Sequence, residues 1–293
     1  MDSIESAFAQ YTTLFGVLEI ISLVCLLAIV SETVWDIFTG ERKKYGETFA
    51  NYAILIGNVL LERTAFGLAF IVGLVLVSPF AFFQIEHSWW SWPLAVLVAD
   101  FTYYWMHRFE HEIRIFWAHH SVHHSSPEFN LTTSLRLAWI EGAVEWIFFI
   151  PMILVGFDLV QTIVGISIVV SYQTWIHTEK VGRLGWLDKV FNTPSVHRVH
   201  HGSNAQYIDK NYGGILIIWD RMFGTYEPEE EKVNYGITKP LKSSNPITIN
   251  FKEYLEIWRD IRRASSLKSA LGYVFKGPGW QPQDVKPNYT SKE

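Results

Sequence analysis

At 293 residues the chain could hold one or two soluble domains, so length decides little. Composition excludes more: 49% of residues are hydrophobic, 16% aromatic and only 18% charged, against about 25% charged in soluble domains, which points to a membrane protein. A formal net charge of -5 offers no basic face to neutralise phosphates and excludes nucleic acid as a partner, while the single cysteine, Cys25, excludes an intrachain disulfide and a cysteine-based zinc site.

Five stretches reach or approach the roughly 20 apolar residues with which a helix crosses a bilayer: about 12–31, 65–83, 90–106, 138–156 and 158–176. The first lacks a basic leader and reads as a span, not a signal peptide. Residues 51–63 are apolar but end in Glu62 and Arg63, which predicts an interfacial lead-in to the second span. Only Gly156, Phe157 and Asp158 separate the last two stretches, so they read as a helical hairpin. Further on, Gly213 and Gly214 open an apolar run that reads as structural packing beneath a cap. The expected fold is an all-α integral membrane protein with about five transmembrane helices and a cytoplasmic histidine-rich cap. Its expected divisions are 1–93 for the N-terminal transmembrane and interfacial helices, 94–240 for the catalytic part, and 241–293 for a polar cytoplasmic tail.

Orientation follows from the basic residues in the short connections. Arg42, Lys43, Lys44, Arg63, Arg108, Arg114, Arg136, Lys180, Arg183 and Lys189 all fall on one side, which becomes the cytoplasmic one. On that side, or at its boundary, lie His107, His111, His119, His120, His123, His124, His177, His197, His200 and His201. Only His87 falls outside, in HSWWSW, where the tryptophans read as an interfacial belt and the histidine as a non-ligand.

The spacings carry the chemistry. His107 and His111 in HRFEH stand four apart, on one face of a helix, and HSVHH at 120–124 and HRVHH at 197–201 repeat that geometry with an adjacent histidine splayed to the side. One HxxxH pair alone is ordinarily a surface pair; two HxxHH motifs and an HxxxH at one membrane depth are a metal centre. His177 adds a further ligand, whereas His119 would point away from the cluster. Nine imidazoles exceed the three or four ligands of one ion and imply two metals. Imidazole suits zinc, copper, iron and nickel alike; near a bilayer the abundant substrate is lipid, and oxidising an unactivated C–H bond requires a redox metal and O2, which favours iron. Asp100, Glu110, Glu112, Asn130, Asp209 and Asp220 are candidates to orient the rings from behind. A hydrolase using metal-bound hydroxide and a metal store or transporter are the competing classes; the transporter would line a path through the spans instead of gathering ligands at one end.

Here the chain resembles the fatty acid hydroxylase/sterol desaturase superfamily of membrane di-iron enzymes. The HxxxH, HxxHH and HxxHH boxes match His107/His111, His120/His123/His124 and His197/His200/His201, and WAHHSVHHSSPEFNLTTSLR and NTPSVHRVHHGSNAQYIDKNYGGILIIWDRMFGTYEPE extend the likeness over most of 95–240. Together with YQTWIHTEKVGRLGWLDKVFNTPS from Tyr172, these runs look most like the alkylglycerol monooxygenase branch. The resemblance implies two irons, O2 as co-substrate, hydroxylation of a fatty acyl, sterol or glyceryl ether lipid, and tetrahydrobiopterin as a possible reductant; desaturation on the same site is the alternative. Where some members carry two histidines four apart, this chain has Gln173 and His177. Neither a fused cytochrome b5 domain nor a nucleotide-binding glycine motif is present in the sequence, so a separate electron donor is expected.

Overall fold

The computed structural model describes residues 2–40 and 45–283. Arg42, Lys43 and Lys44 of the orientation argument, the side chain of Arg63, and residues 284–293 of the expected tail lie outside the described residues. Among the described residues the architecture is helical, with no strand beyond two isolated bridges, Phe191 with Leu216 and Gly202 with Tyr235. In chain order the helices are α1 (Asp2–Thr39), α2 (Gly46–Leu61), α3 (Gly67–Val77), α4 (Ser91–Glu112), α5 (Arg114–His124), α6 (Glu141–Val155), α7 (Leu159–Thr174), α8 (Pro194–His200), α9 (Ile218–Phe223), α10 (Pro246–Arg263) and α11 (Leu267–Phe275).

Two helical runs among the described residues, Tyr11–Thr39 and Gly46–Phe80, are long and apolar enough to cross a membrane; Leu159–Thr174 is apolar but shorter. The second run joins what the sequence divides. A single π-helical turn, Glu62–Phe66, carries α2 into α3 without a break. Glu62, which suggested an end, instead accepts a hydrogen bond at 2.9 Å from the Gly142 amide in the first turn of α6, where N–H groups lack helical partners.

The apolar core is built where α3, α4, α6 and α7 meet, around Leu74, Ala95, Ala99, Met106, Phe149, Met152 and Val169. Small residues allow the closest approach: a Cβ on Gly165 of α7 would stand 2.9 Å from the Ala95 carbonyl oxygen of α4. The expected hairpin is present. Gly156 closes α6 at φ 114, a left-handed conformation in which a side chain would be strained, and Asp158 and Gln161 cap the start of α7 reciprocally.

One break aims the polar end. No glycine or proline interrupts 94–112, so α4 continues past its apolar half and carries His107 and His111 with it. Ile113 then turns extended, at φ -121 and ψ 118, and α5 sets off again at once against the end of α4. The far end of α5 is fixed by Arg136, 1% exposed, which donates to the Val122 carbonyl, Ser125, Glu47 and Asn51 and so ties the second histidine motif to α2. In the segment expected as a polar tail, α10 and α11 pack on α5, and Arg114 holds α10 through Glu253 at 2.8 Å and Asp260 at 2.7 Å.

Candidate metal centre

Helices α4, α5 and α8, with His177 just beyond α7, bring the nine expected histidines together as two groups. His107, His111, His120, His124 and His200 form one, and His123, His177, His197 and His201 the other; within each, the potential ligand atoms all lie within 4.8 Å of one another. The division cuts through both HxxHH motifs. In α5 the i,i+4 pair His120 and His124 serves the five-histidine group while His123 crosses to the other. In α8 and at its C-cap the roles reverse: His197 and His201 belong to the four-histidine group and His200 crosses.

Ring tautomers are fixed from behind by groups that only accept. His107 Nδ1 is 2.8 Å from the Tyr212 carbonyl, His177 Nδ1 2.7 Å from that of Gln173, and His200 Nδ1 2.9 Å from that of Lys210. Each Nδ1 must therefore carry the hydrogen, leaving an Nε2 lone pair facing inward. His120 is held differently: its Nδ1 lies 3.2 Å from Glu110 Oε2. His107 Nε2 and His120 Nε2 then face each other at 3.0 Å, close enough for one cation to engage both. Burial and the neighbouring imidazoles hold His107, His120, His124 and His200 well below the usual histidine range, so all remain neutral and available as ligands. Burial alone takes His177 down to about 4. The buried Nε2 of His111 has no protein partner. This donor set fits transition-metal ions.

Behind the rings, a short loop supplies two of the anchoring carbonyls. Asp209 and Asn211 adopt φ of 60 and 59, left-handed values that Asp and Asn tolerate better than most residues. Asn211 is bonded to Val196 and Glu227, and Asp220 accepts from the Tyr212 and Gly213 amides, so Lys210 and Tyr212 present their carbonyls to His200 and His107. Asp220 therefore acts through the backbone. Asp209 itself stands 3.6 Å from His111 Nδ1.

The remaining candidates turn elsewhere. Asp100 accepts from the Ile215 and Leu216 amides and from Trp219, and clamps that segment to α4. Glu112 pairs with Arg108, and Asn130 caps the turn 131–135. Gln173 accepts from Tyr103 through its side chain, while its backbone carbonyl meets His177. His119 stands outside both groups: its Nε2 donates to Glu110 Oε1 at 2.9 Å, with Glu145 at 4.0 Å. Glu110 is thus a buried carboxylate gripped by two imidazoles, and burial pushes it well above the usual carboxylate range, a penalty that a cation beyond His120 would offset. The carbonyl anchors have no signal in a sequence, since every residue has one; Glu110 could be suspected from its place inside HRFEH. His87 lies far from the groups, accepting from Tyr11 at 3.0 Å and donating to Asp158 at 2.7 Å, in keeping with its non-ligand reading.

Two cavities reach the histidines from different sides. One, of about 270 Å³, is bordered by Cys25, Ile29, Met106 and Val170 on α1, α4 and α7 and by Glu110, Glu141 and Glu145 on α4 and α6, and touches His120, His123 and His177. The other, of about 390 Å³, is bordered by Trp117, Asp209, Lys239 and the polar face of α10, and touches His111, His124, His200 and His201.

Residues 92–225 match the sequence model of the fatty acid hydroxylase family. The chain is 46% identical over 211 residues to the alkylglycerol monooxygenase of Homo sapiens, covering 70% of this chain and 47% of that protein. It is 46% identical over 203 residues to the alkylglycerol monooxygenase of Xenopus tropicalis, covering 68% and 45%, and 30% identical over 210 residues to the ornithine lipid hydroxylase OlsE of Rhizobium tropici, covering 67% and 63%. The chain thus spans about half the length of these alkylglycerol monooxygenases. No solved structure matches it.

Proposed function

From the premise that this chain carries a fatty acid hydroxylase domain, we propose that it is a membrane-bound, di-iron lipid monooxygenase that inserts one oxygen atom of O2 into a C–H bond. The observation that carries this is the convergence of nine imidazoles as five and four, beside a cavity that α1, α4 and α7 border. The balanced reaction is RH + O2 + 2e⁻ + 2H⁺ → ROH + H2O. His107, His111, His120, His124 and His200 would hold one iron, and His123, His177, His197 and His201 the other. When bound, the irons supply the redox chemistry that activates O2.

The protein does the rest by position. The Tyr212, Gln173 and Lys210 carbonyls and Glu110 keep Nε2 of four rings turned inward before any ion arrives. The cavity against α1 is below the roughly 300–1,000 Å³ of a drug-sized ligand site, so it admits only the reacting segment of a lipid; the remainder lies outside, among the membrane helices. An alkylglycerol is the substrate that the relatives' names support best, with an ornithine lipid or another acyl lipid next. The opposite cavity has polar walls, which supports its assignment to a separate electron donor, a tetrahydrobiopterin-sized reductant among them. In this reading the five apolar stretches span the bilayer, and the histidine cap faces the cytoplasm.

Lipid mass spectrometry of cells with and without the chain tests the proposal. A gain of about 16 mass units on one lipid class, lost without O2 or when His123→Ala replaces the wild type, is expected. A loss of about 2 would indicate desaturation, and turnover under strict anaerobiosis would refute the oxygenase.

A further inference from the structure

Helix α10 has two unlike faces. Ile249, Asn250 and Ile257 are buried, and Glu253 and Asp260 reach Arg114, all on the side that meets the rest of the protein. On the other side Ile247, Phe251, Leu255 and Trp258 are 62%, 38%, 52% and 58% exposed. At 100° per residue these four fall within an arc of about 80°. Helix α11 repeats the pattern: Leu267, Leu271 and Phe275 are exposed along one stripe, and Ser269 and Tyr273 are buried on the other. Seven large apolar side chains on two consecutive helices exceed the scattered exposure normal for a surface in water.

Two further observations identify what covers them. First, the stripe is continuous with a membrane-spanning run. The Phe251 ring lies 6.0 Å from that of Trp139, and α10 touches α2, whose own exposed stripe is Phe49, Ile56 and Leu60. Helix α2 begins the 35-residue run Gly46–Phe80, about 50 Å long against a hydrocarbon core of about 30 Å, so part of it extends into the interface. Second, the charges suit an anionic leaflet. Arg259, Arg262, Arg263 and Lys268 are exposed on these helices, whereas the acidic Glu253 and Asp260 are turned inward and neutralised by Arg114.

We infer that α10 and α11 form a monotopic, amphipathic hairpin that lies in the headgroup region of the leaflet on the histidine side, its apolar stripe dipped into the acyl boundary and its polar face walling the second cavity. The inference rests on the reading of this chain as a membrane protein. The hairpin would add a hold on the height of the metal centre from the leaflet side, beside that of α4, which carries His107 and His111.

The test places nitroxide labels on the full-length protein, in a Cys25→Ser background, in vesicles of phosphatidylcholine and phosphatidylserine. Leu255→Cys and Leu271→Cys are the reporters, Leu23→Cys in the middle of α1 is the hydrocarbon reference, and Glu230→Cys on an exposed loop is the aqueous one. Reporters reached by O2 several-fold more readily than by a water-soluble nickel chelate, at ratios between the two references, support the hairpin. Ratios equal to that of Glu230→Cys overturn it while a normal Leu23→Cys leaves the membrane reading intact; an aqueous Leu23→Cys would remove both. Spin–spin broadening at Leu255→Cys that disappears on dilution with unlabelled protein would assign the stripe to a second copy and equally overturn the proposal.

Discussion

Glu110 shows what a single buried side chain does here. Nδ1 of three rings of the cluster rests against a carbonyl, but that of His120 rests against the side chain of Glu110, which also receives the His119 proton. Glu110→Gln keeps the shape and removes the charge, so His120 becomes a poorer donor; a fall of about 10–100-fold in metal affinity or turnover is expected, read by iron content and by the spectrum of the loaded centre. Wild-type values for both would show the carboxylate to be incidental. Acidity acts on the same atoms. His177 is held at about 4, below the ordinary value of about 6.5, so between those limits the unfolded chain takes up the proton that the folded chain refuses. The His177 contribution to stability is complete above about pH 6.5 and is lost as pH falls toward 4, and metal retention declines with it; comparing thermal unfolding of the metal-free wild type and His177→Ala across that range measures the first, and dialysis the second. Eight of the nine rings were legible because HxxxH and HxxHH mark them, and His177 only from its place at the end of an apolar run. Their division into five and four was not, since it depends on how α5 and α8 are turned toward each other.

Among the elements, α5 is the one whose position decides most, and its far end is secured by Arg136 at the junction with α2. Replacing it with alanine takes the cation from Glu47, which keeps only Ser244, and one donor from the Val122 carbonyl, and should lower stability by about 3–5 kcal/mol, with loss of metal from both groups. Thermal unfolding in detergent and metal analysis check this; a stable, fully metallated variant would place the anchor elsewhere. In the sequence Arg136 was legible only as a charge on the cytoplasmic side. The apolar runs that became α1, α3, α4, α6 and α7 were legible because length and hydropathy define them locally. The continuity of α2 with α3 was not, because the partner of Glu62 lies 80 residues onward at Gly142. Four-residue spacing in Ile247, Phe251 and Leu255 was there to be read, but a polar average over the last fifty residues concealed it.

At the scale of the whole molecule, the centre sits where two environments meet. One cavity opens toward α1 and the other toward α10, so under the proposed function the lipid and the electron donor would not need to share a path. The crossing of His123 and His200 between groups has a further consequence for how the ions are acquired. Under the di-iron reading, seating one ion would draw α5 and α8 into register and complete the nest for its neighbour, so occupancy should rise in pairs. Native mass spectrometry of the metal-free protein given one equivalent of iron should then find mostly empty and doubly filled molecules; a binomial share of singly filled ones would show the nests to be independent. Scarcity of iron would, on this account, reduce the number of competent molecules without creating a population of half-equipped ones that could reduce O2 and release it partly reduced.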